Sequence, residues 1–115
     1  MAIQTLNIPV GTAVLIGAPA CPMDGRISTA IGRLTASIEG VVEAYLPQMY
    51  AVKVMEEPAQ VLVLLLRRDA DLGKVADQLA VGLPQVLPKG VKLDVWPIQT
   101  THPLADEVRR TGCMI

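Results

Sequence analysis

The chain has 115 residues with 10 basic and 11 acidic side chains, a net charge of -1, and 51% hydrophobic residues. This length predicts one domain, residues 1–115, and the charge balance predicts neither nucleic-acid binding nor attraction to an anionic membrane. The longest apolar run, six residues at 61–66, is too short to span a bilayer, and no basic residue precedes Arg26 as a secretory signal would require. We therefore expect a cytoplasmic protein.

The first half of the chain predicts a strand, a helix and an interrupted strand. Residues 12–16 are apolar and β-branched, which is typical of a strand. A helix should follow between a cap at Asp24 and a stop at Gly40. Its apolar stripe has steps of three and four: Ile27, Ala30, Ile31, Leu34 and Ile38. The strand-like residues 41–54 contain Pro47, which cannot donate a ladder hydrogen bond and predicts an irregularity there.

The next strand, residues 61–66, is apolar at every position. Successive side chains of a strand point to opposite faces, so a strand covered on one face only should alternate between apolar and polar residues. This run does not alternate, and both of its faces require cover. The turn at residues 56–58 directly precedes it, so it should pair antiparallel with the strand before the turn.

The last part of the chain predicts a second helix, a strand and a short final helix. An apolar stripe over residues 72–86 indicates the helix, with a break near Gly82 or Pro84. Residues 91–96 alternate cleanly, which turns Trp96 away from the helices. Residues 104–110 complete the pattern as a short C-terminal helix.

The element order β-α-β-β-α-β is typical of the ferredoxin-like α+β fold, a four-stranded antiparallel sheet with two helices on one face. The other face would then be an exposed apolar surface large enough to bind a partner. The pattern leaves open which side of residues 61–66 meets the helices. We assign five residues to an interface on the open face: Leu62, Leu64, Leu66, Trp96 and Tyr45. A homo-oligomer formed through this face, or a complex with another protein, is the expected result.

Three segments resemble a known family: residues 11–19, residues 42–49 and the pair Leu93-Asp94. The chain is similar over residues 11–98 to the C-terminal domain of the enhanced-serine-sensitivity (SseB-like) proteins. The resemblance implies a bacterial cytoplasmic protein linked to serine tolerance or amino-acid metabolism, without established catalytic residues. Family members carry a further N-terminal domain and end in Pro-Phe-Tyr, where this chain ends in Cys-Met-Ile.

No residue pattern predicts a catalytic, metal or cofactor site. Cys21 and Cys113 lie far apart without metal-ligand spacing, and His102 is the single histidine. Tyr45, Gln48 and Met49 could line a ligand or peptide site, although an aromatic residue and a methionine on a strand more often pack in a core.

Three functions are compatible with these patterns. The first is a non-enzymatic module for protein interaction or self-association, which the apolar excess favours. The second is a sensor that binds an amino acid, suggested by the family's link to serine. The third is an enzyme of the dimeric α+β barrel kind, which would need a polar pocket formed by His102, Tyr45 or Tyr50.

Overall fold

The computed structural model of the chain describes residues 3–9, 11–19, 23–91 and 93–115, so Cys21 lies outside the described residues. Six strands and three helices form within them, which confirms the α+β class. In chain order they are β1 (Ile3–Thr5), β2 (Val14–Gly17), α1 (Gly25–Ala36), β3 (Val41–Tyr45), β4 (Gln48–Ala51), β5 (Ala59–Leu66), α2 (Leu72–Val86), β6 (Leu93–Gln99) and α3 (Ala105–Arg110). None of these helices has both the length and the apolar character needed to cross a bilayer.

Aspartate side chains start the two longer helices. The Asp24 carboxylate accepts a hydrogen bond from the Arg26 N–H at 2.8 Å, as predicted for the cap of α1. Asp71 does the same for α2, accepting from the Lys74 N–H at 3.2 Å. Each cap satisfies a backbone donor that the first helical turn would otherwise leave without a partner.

The predicted break in α2 is wrong, because the helix continues through Pro84 to Val86. Leu79 and Leu83 are buried on one side of this helix, and their packing offsets the backbone hydrogen bond that proline removes. Gly82 has a packing role instead. A β-carbon there would lie 2.5 Å from the Leu34 side chain, so glycine lets α1 and α2 approach each other.

The sheet is mixed and its central strand is β5. On one side β5 pairs parallel with β6, which in turn pairs parallel with β1. On the other side β3 and β4 lie end to end, separated by residues 46–47, and both pair antiparallel with β5. The predicted irregularity at Pro47 is the point where one strand becomes two. Finally, β2 pairs antiparallel with β4 and forms the outermost strand.

This sheet differs from the predicted four-stranded antiparallel sheet in strand number and direction. A ferredoxin-like fold is not confirmed, because its βαβ units are split by an intervening strand, whereas β5 and β6 are direct neighbours. The connection through α2 is instead an unsplit parallel crossover. The additional strand, β1, extends the sheet beyond β6.

The first core cluster lies between the sheet and helices α1 and α2. Leu62, Leu64 and Leu66 of β5 point into it and are at most 2% exposed. They pack with buried residues of both helices, among them Ile31 and Leu79. The even-numbered side of residues 61–66 therefore meets the helices, and these three leucines do not form an interface as we predicted.

The second core cluster covers the opposite face, which we predicted to be open. Val61, Val63 and Leu65 are fully buried there. Cover comes from α3 through Ala105 and Val108, and from Leu6 just after β1. Tyr45 and Trp96 also belong to this cluster and are only 3% and 4% exposed. The prediction of an exposed sheet face failed because the chain ends fold back over it.

Candidate functional site

Strand β2 lies at one end of the sheet, opposite the end formed by β1, and its outer edge is free of any strand among the described residues. The Ala13 C=O accepts a hydrogen bond from the Val52 N–H at 3.0 Å, and hydrogen-bonded pairs alternate in an antiparallel ladder. Leu15 therefore faces β4, opposite Tyr50, with its backbone groups. Val14 and Ile16 direct their backbone N–H and C=O groups outward, where another strand could bind them.

The sheet beside this edge forms a shallow cleft of about 400 Å³, here called the β2 cleft. Leu15 is 69% exposed, the largest exposure of any large apolar side chain described. Residues of three segments line the cleft with it: Ile16, Gly17, Ala18, Gln48, Met49, Tyr50 and Pro58. None of the lining residues is charged. The cleft therefore matches an apolar side chain better than a charged ligand.

The other strand edges in the described part of the chain are covered, carry a proline or are short, which are ways in which natural sheets protect their edges. The Leu46 N–H donates to the Cys113 C=O, and the Ile115 N–H to the Ala44 C=O, so the C-terminal residues pair with β3. On β6, the Val95 C=O accepts a hydrogen bond from the Leu6 N–H on the outer side of the strand. Pro97, two residues further on, faces the same side and has no N–H to offer another strand. The strand β1 is only three residues long.

The three residues predicted for a ligand site do not form one together. Gln48 and Met49 both line the β2 cleft, whereas Tyr45 does not. Met49 is 1% exposed and packs in the second core cluster, as does Tyr45. Of the three side chains, only that of Gln48 remains accessible to a ligand, and the core role that we weighed for the other two is correct.

The residues considered for an enzyme lie in separate places. Tyr50 lines the β2 cleft, whereas His102 lies near Trp96 with ring centroids 5.4 Å apart. The His102 Nδ1 accepts a hydrogen bond from the Leu104 N–H at 3.0 Å, and burial lowers the pKa of the imidazole. The Tyr45 hydroxyl donates to Glu43. His102 and Tyr45 each have a local structural partner, and neither lies at the β2 cleft with Tyr50.

A polar cluster holds α3 against the second face of the sheet. The Arg109 guanidinium donates to both carboxylate oxygens of Glu43, with the shortest contact at 2.8 Å, and also to Asp106 at 3.1 Å. These hydrogen bonds from Arg109, followed by the one from Tyr45, hold the pKa of Glu43 below its ordinary value. Burial and the bond to Glu43 raise the pKa of Tyr45 to about 12. The cluster links α3 to β3.

This cluster predicts a stability loss in acid. Because the folded-state pKa of Glu43 is lowered, its contribution is present above the ordinary value of 4.5 and disappears as the pH falls through the folded value. Glu43→Gln should therefore lower the unfolding free energy at pH 7, and the difference from the parent chain should shrink below pH 4.5. Urea unfolding across this pH range measures both. Because the pKa of Tyr45 is raised, its protonated hydroxyl stabilises the folded state below pH 10, and this contribution disappears as the pH rises towards 12.

The matched control for the acid experiment is Glu39→Gln. Glu39 forms a 3.5 Å ion pair with Arg67, but its side chain is 90% exposed. Its replacement should change the unfolding free energy by less than about 0.5 kcal/mol. An equal effect of the two substitutions would contradict the assigned role of Glu43.

The candidate site is the outer edge of β2 together with the β2 cleft beside it. The described residues contain no group of three or more potential metal ligands. Sequence reasoning identified residues 12–16 as a strand but missed its edge position. Comparisons with protein-family models, with curated proteins and with solved structures found no match to this chain.

Proposed function

We propose that the chain is a non-enzymatic protein-interaction module that binds an extended segment by adding a strand along β2. The observation that carries the proposal is the open β2 edge, where Val14 and Ile16 present unpaired ladder positions beside the exposed Leu15. Strand addition uses the backbone for affinity and the flanking pockets for selectivity. In this module the β2 cleft receives an apolar side chain of the added strand.

The uncharged cleft supports this function over an amino-acid sensor. A free amino acid carries an ammonium and a carboxylate, and burying either without a charged or hydrogen-bonding partner is costly. Gln48 and Tyr50 supply the side-chain polarity of the cleft wall, and neither is charged. An extended peptide avoids this cost, because its backbone groups are neutral and pair with the strand.

The family resemblance also supports an interaction role. Its two most specific segments, residues 16–19 and 44–49, lie next to each other at this site, with Ile16 opposite Met49 and Gly17 opposite Gln48. We propose that the chain is related to the C-terminal domain of the SseB-like proteins and that any link to serine tolerance operates through a protein contact.

A peptide-binding experiment tests the module. A fluorescein-labelled peptide with the sequence of residues 12–18 and two added lysines should bind the full chain with a Kd of about 100 μM or lower. Leu15→Lys should weaken this binding at least about tenfold, because a charge at the centre of the edge opposes strand addition. Fluorescence anisotropy of a trace amount of the peptide, titrated with protein from about 1 μM to about 500 μM, measures the affinity, and any self-association lowers the apparent affinity at the upper concentrations.

Val81→Lys provides the matched control. Val81 is 67% exposed, close to the value for Leu15, but lies on α2. Its replacement introduces the same charge and should leave peptide binding unchanged within about twofold. Equal weakening by both variants, or a parent chain that does not bind the peptide, would refute strand addition at β2.

A further inference from the structure

We infer that the segment added at this edge is β2 of a second copy of the chain, paired antiparallel about a two-fold axis at Leu15. This inference rests on the proposed function, since it names the partner of the same edge. Two copies joined in this way share one continuous sheet, and the contact is self-complementary, as a two-fold interface requires.

The backbone of β2 selects the register. Only residues with outward N–H and C=O groups can form the hydrogen-bonded pairs of a new antiparallel ladder, and within β2 these are Val14 and Ile16. Pairing Val14 with Ile16 of the second copy, and the reverse, uses all four outward groups of each strand. A ladder shifted by two residues towards Thr12 would need its N–H, which already donates to the Pro9 C=O at 3.1 Å.

This register brings the exposed leucines together. Leu15 lies between the two hydrogen-bonded pairs, so it faces Leu15 of the second copy as a non-hydrogen-bonded pair with about 4.5 Å between Cα atoms. Side chains at such pairs are close enough to bury one another. The dimer therefore covers the most exposed large apolar side chain described, next to Tyr50 across the β2–β4 ladder.

Charge also favours a second copy. Residues 11–19 contain no charged side chain, so pairing this segment with itself brings no like charges together within it. Charged residues and prolines are the usual protection of an edge strand against such pairing, and residues 14–17 contain neither.

The contact is small, which sets its strength. A standard interface buries about 800 Å² on each partner, and a tenth of the chain's 6908 Å² surface is of similar size. One four-residue edge strand with its cleft supplies only part of this area. We therefore expect a reversible dimer with a Kd in the micromolar range.

Cysteine cross-linking tests the register. In a full chain with Cys21→Ser and Cys113→Ser, Leu15→Cys places two thiols across the axis at a separation that a disulfide can bridge. Ala13→Cys is the matched control, since Ala13 is also exposed but would lie about 13 Å from its own copy. At about 100 μM in a glutathione redox buffer, Leu15→Cys should form the linked dimer at least about tenfold faster.

Sedimentation velocity of the unmodified chain completes the test. The inference is supported if the unmodified chain is a dimer at about 100 μM and the Leu15→Lys variant is a monomer at the same concentration. Equal cross-linking of the two cysteine variants, or a dimer that Leu15→Lys does not affect, overturns it. A monomer that still binds the residue 12–18 peptide overturns the second copy while strand addition at β2 stands, and a monomer that binds no peptide refutes both proposals.

Discussion

Replacing Leu64 with alanine is expected to lower the unfolding free energy by about 3–5 kcal/mol. Leu64 is fully buried on the central strand β5. Its side chain packs against α1 and α2, and β3 and β6 flank it as the neighbouring strands. The helices and both neighbouring strands limit how far the site can collapse around the missing atoms, which is the condition for a large cavity cost. Domains of this size have about 5–15 kcal/mol of stability, so this loss is between about a fifth and all of the total.

Urea unfolding followed by circular dichroism measures this loss, and Leu72→Ala is its control. Leu72 is 56% exposed at the start of α2, so the same substitution there should change stability by less than about 0.5 kcal/mol. If Leu64 belonged to an interface, as the sequence suggested, its substitution would change association and leave the stability of the monomer nearly intact. A loss below about 1 kcal/mol would contradict its core position.

The burial of residues 61–66 on both faces of the sheet could be predicted from the sequence. A run without alternation predicts cover on both faces, and all six side chains are at most 2% exposed. Which residues cover the second face could not be predicted. Helix α3 has only six residues, and its packing depends on tertiary contacts rather than on helix propensity. We therefore inferred a partner where the chain covers itself with Ala105 and Val108.

The order of the strands in the sheet could not be predicted from the sequence either. The order of helices and strands is the same whether a crossover is split or not, and the pairing of β5 with β6 depends on which edges the other strands leave free. Local alternation was more informative. It correctly separated Val95, which packs with the helices, from Trp96, which packs on the opposite face.

The candidate site was missed for a related reason. Residues 13–16 are apolar throughout, and this pattern is equally typical of a buried strand and of an exposed edge strand. Exposure of Leu15 follows from the position of β2 at the end of the sheet, since no residue of β2 belongs to the core cluster that α1 and α2 form with the sheet. The absence of charge and proline in this edge was the one signal available from the sequence, and it became meaningful only with the topology.

Val108→Asp tests the cover of the second face and should have the other largest effect. Val108 is fully buried in the second core cluster with Trp96, and a carboxylate there would lose its water without gaining a partner among these apolar side chains. We expect a loss of about 3 kcal/mol or more, with release of α3 preceding global unfolding. Trp96 is only 4% exposed, so its fluorescence should shift to longer wavelength as α3 leaves.

The control Glu107→Ala changes an exposed residue of the same helix and should leave the Trp96 emission unchanged. Hydrogen exchange separates the two ways in which Val108→Asp can act: release of α3 alone exposes the amides of residues 105–110 and leaves β5 protected, whereas global unfolding exposes both. A Trp96 emission that matches the parent chain, together with a loss below about 1 kcal/mol, would show that α3 does not hold this face. If α3 is released and the newly exposed face does not drive dimerisation, association depends on the edge of β2 rather than on that face.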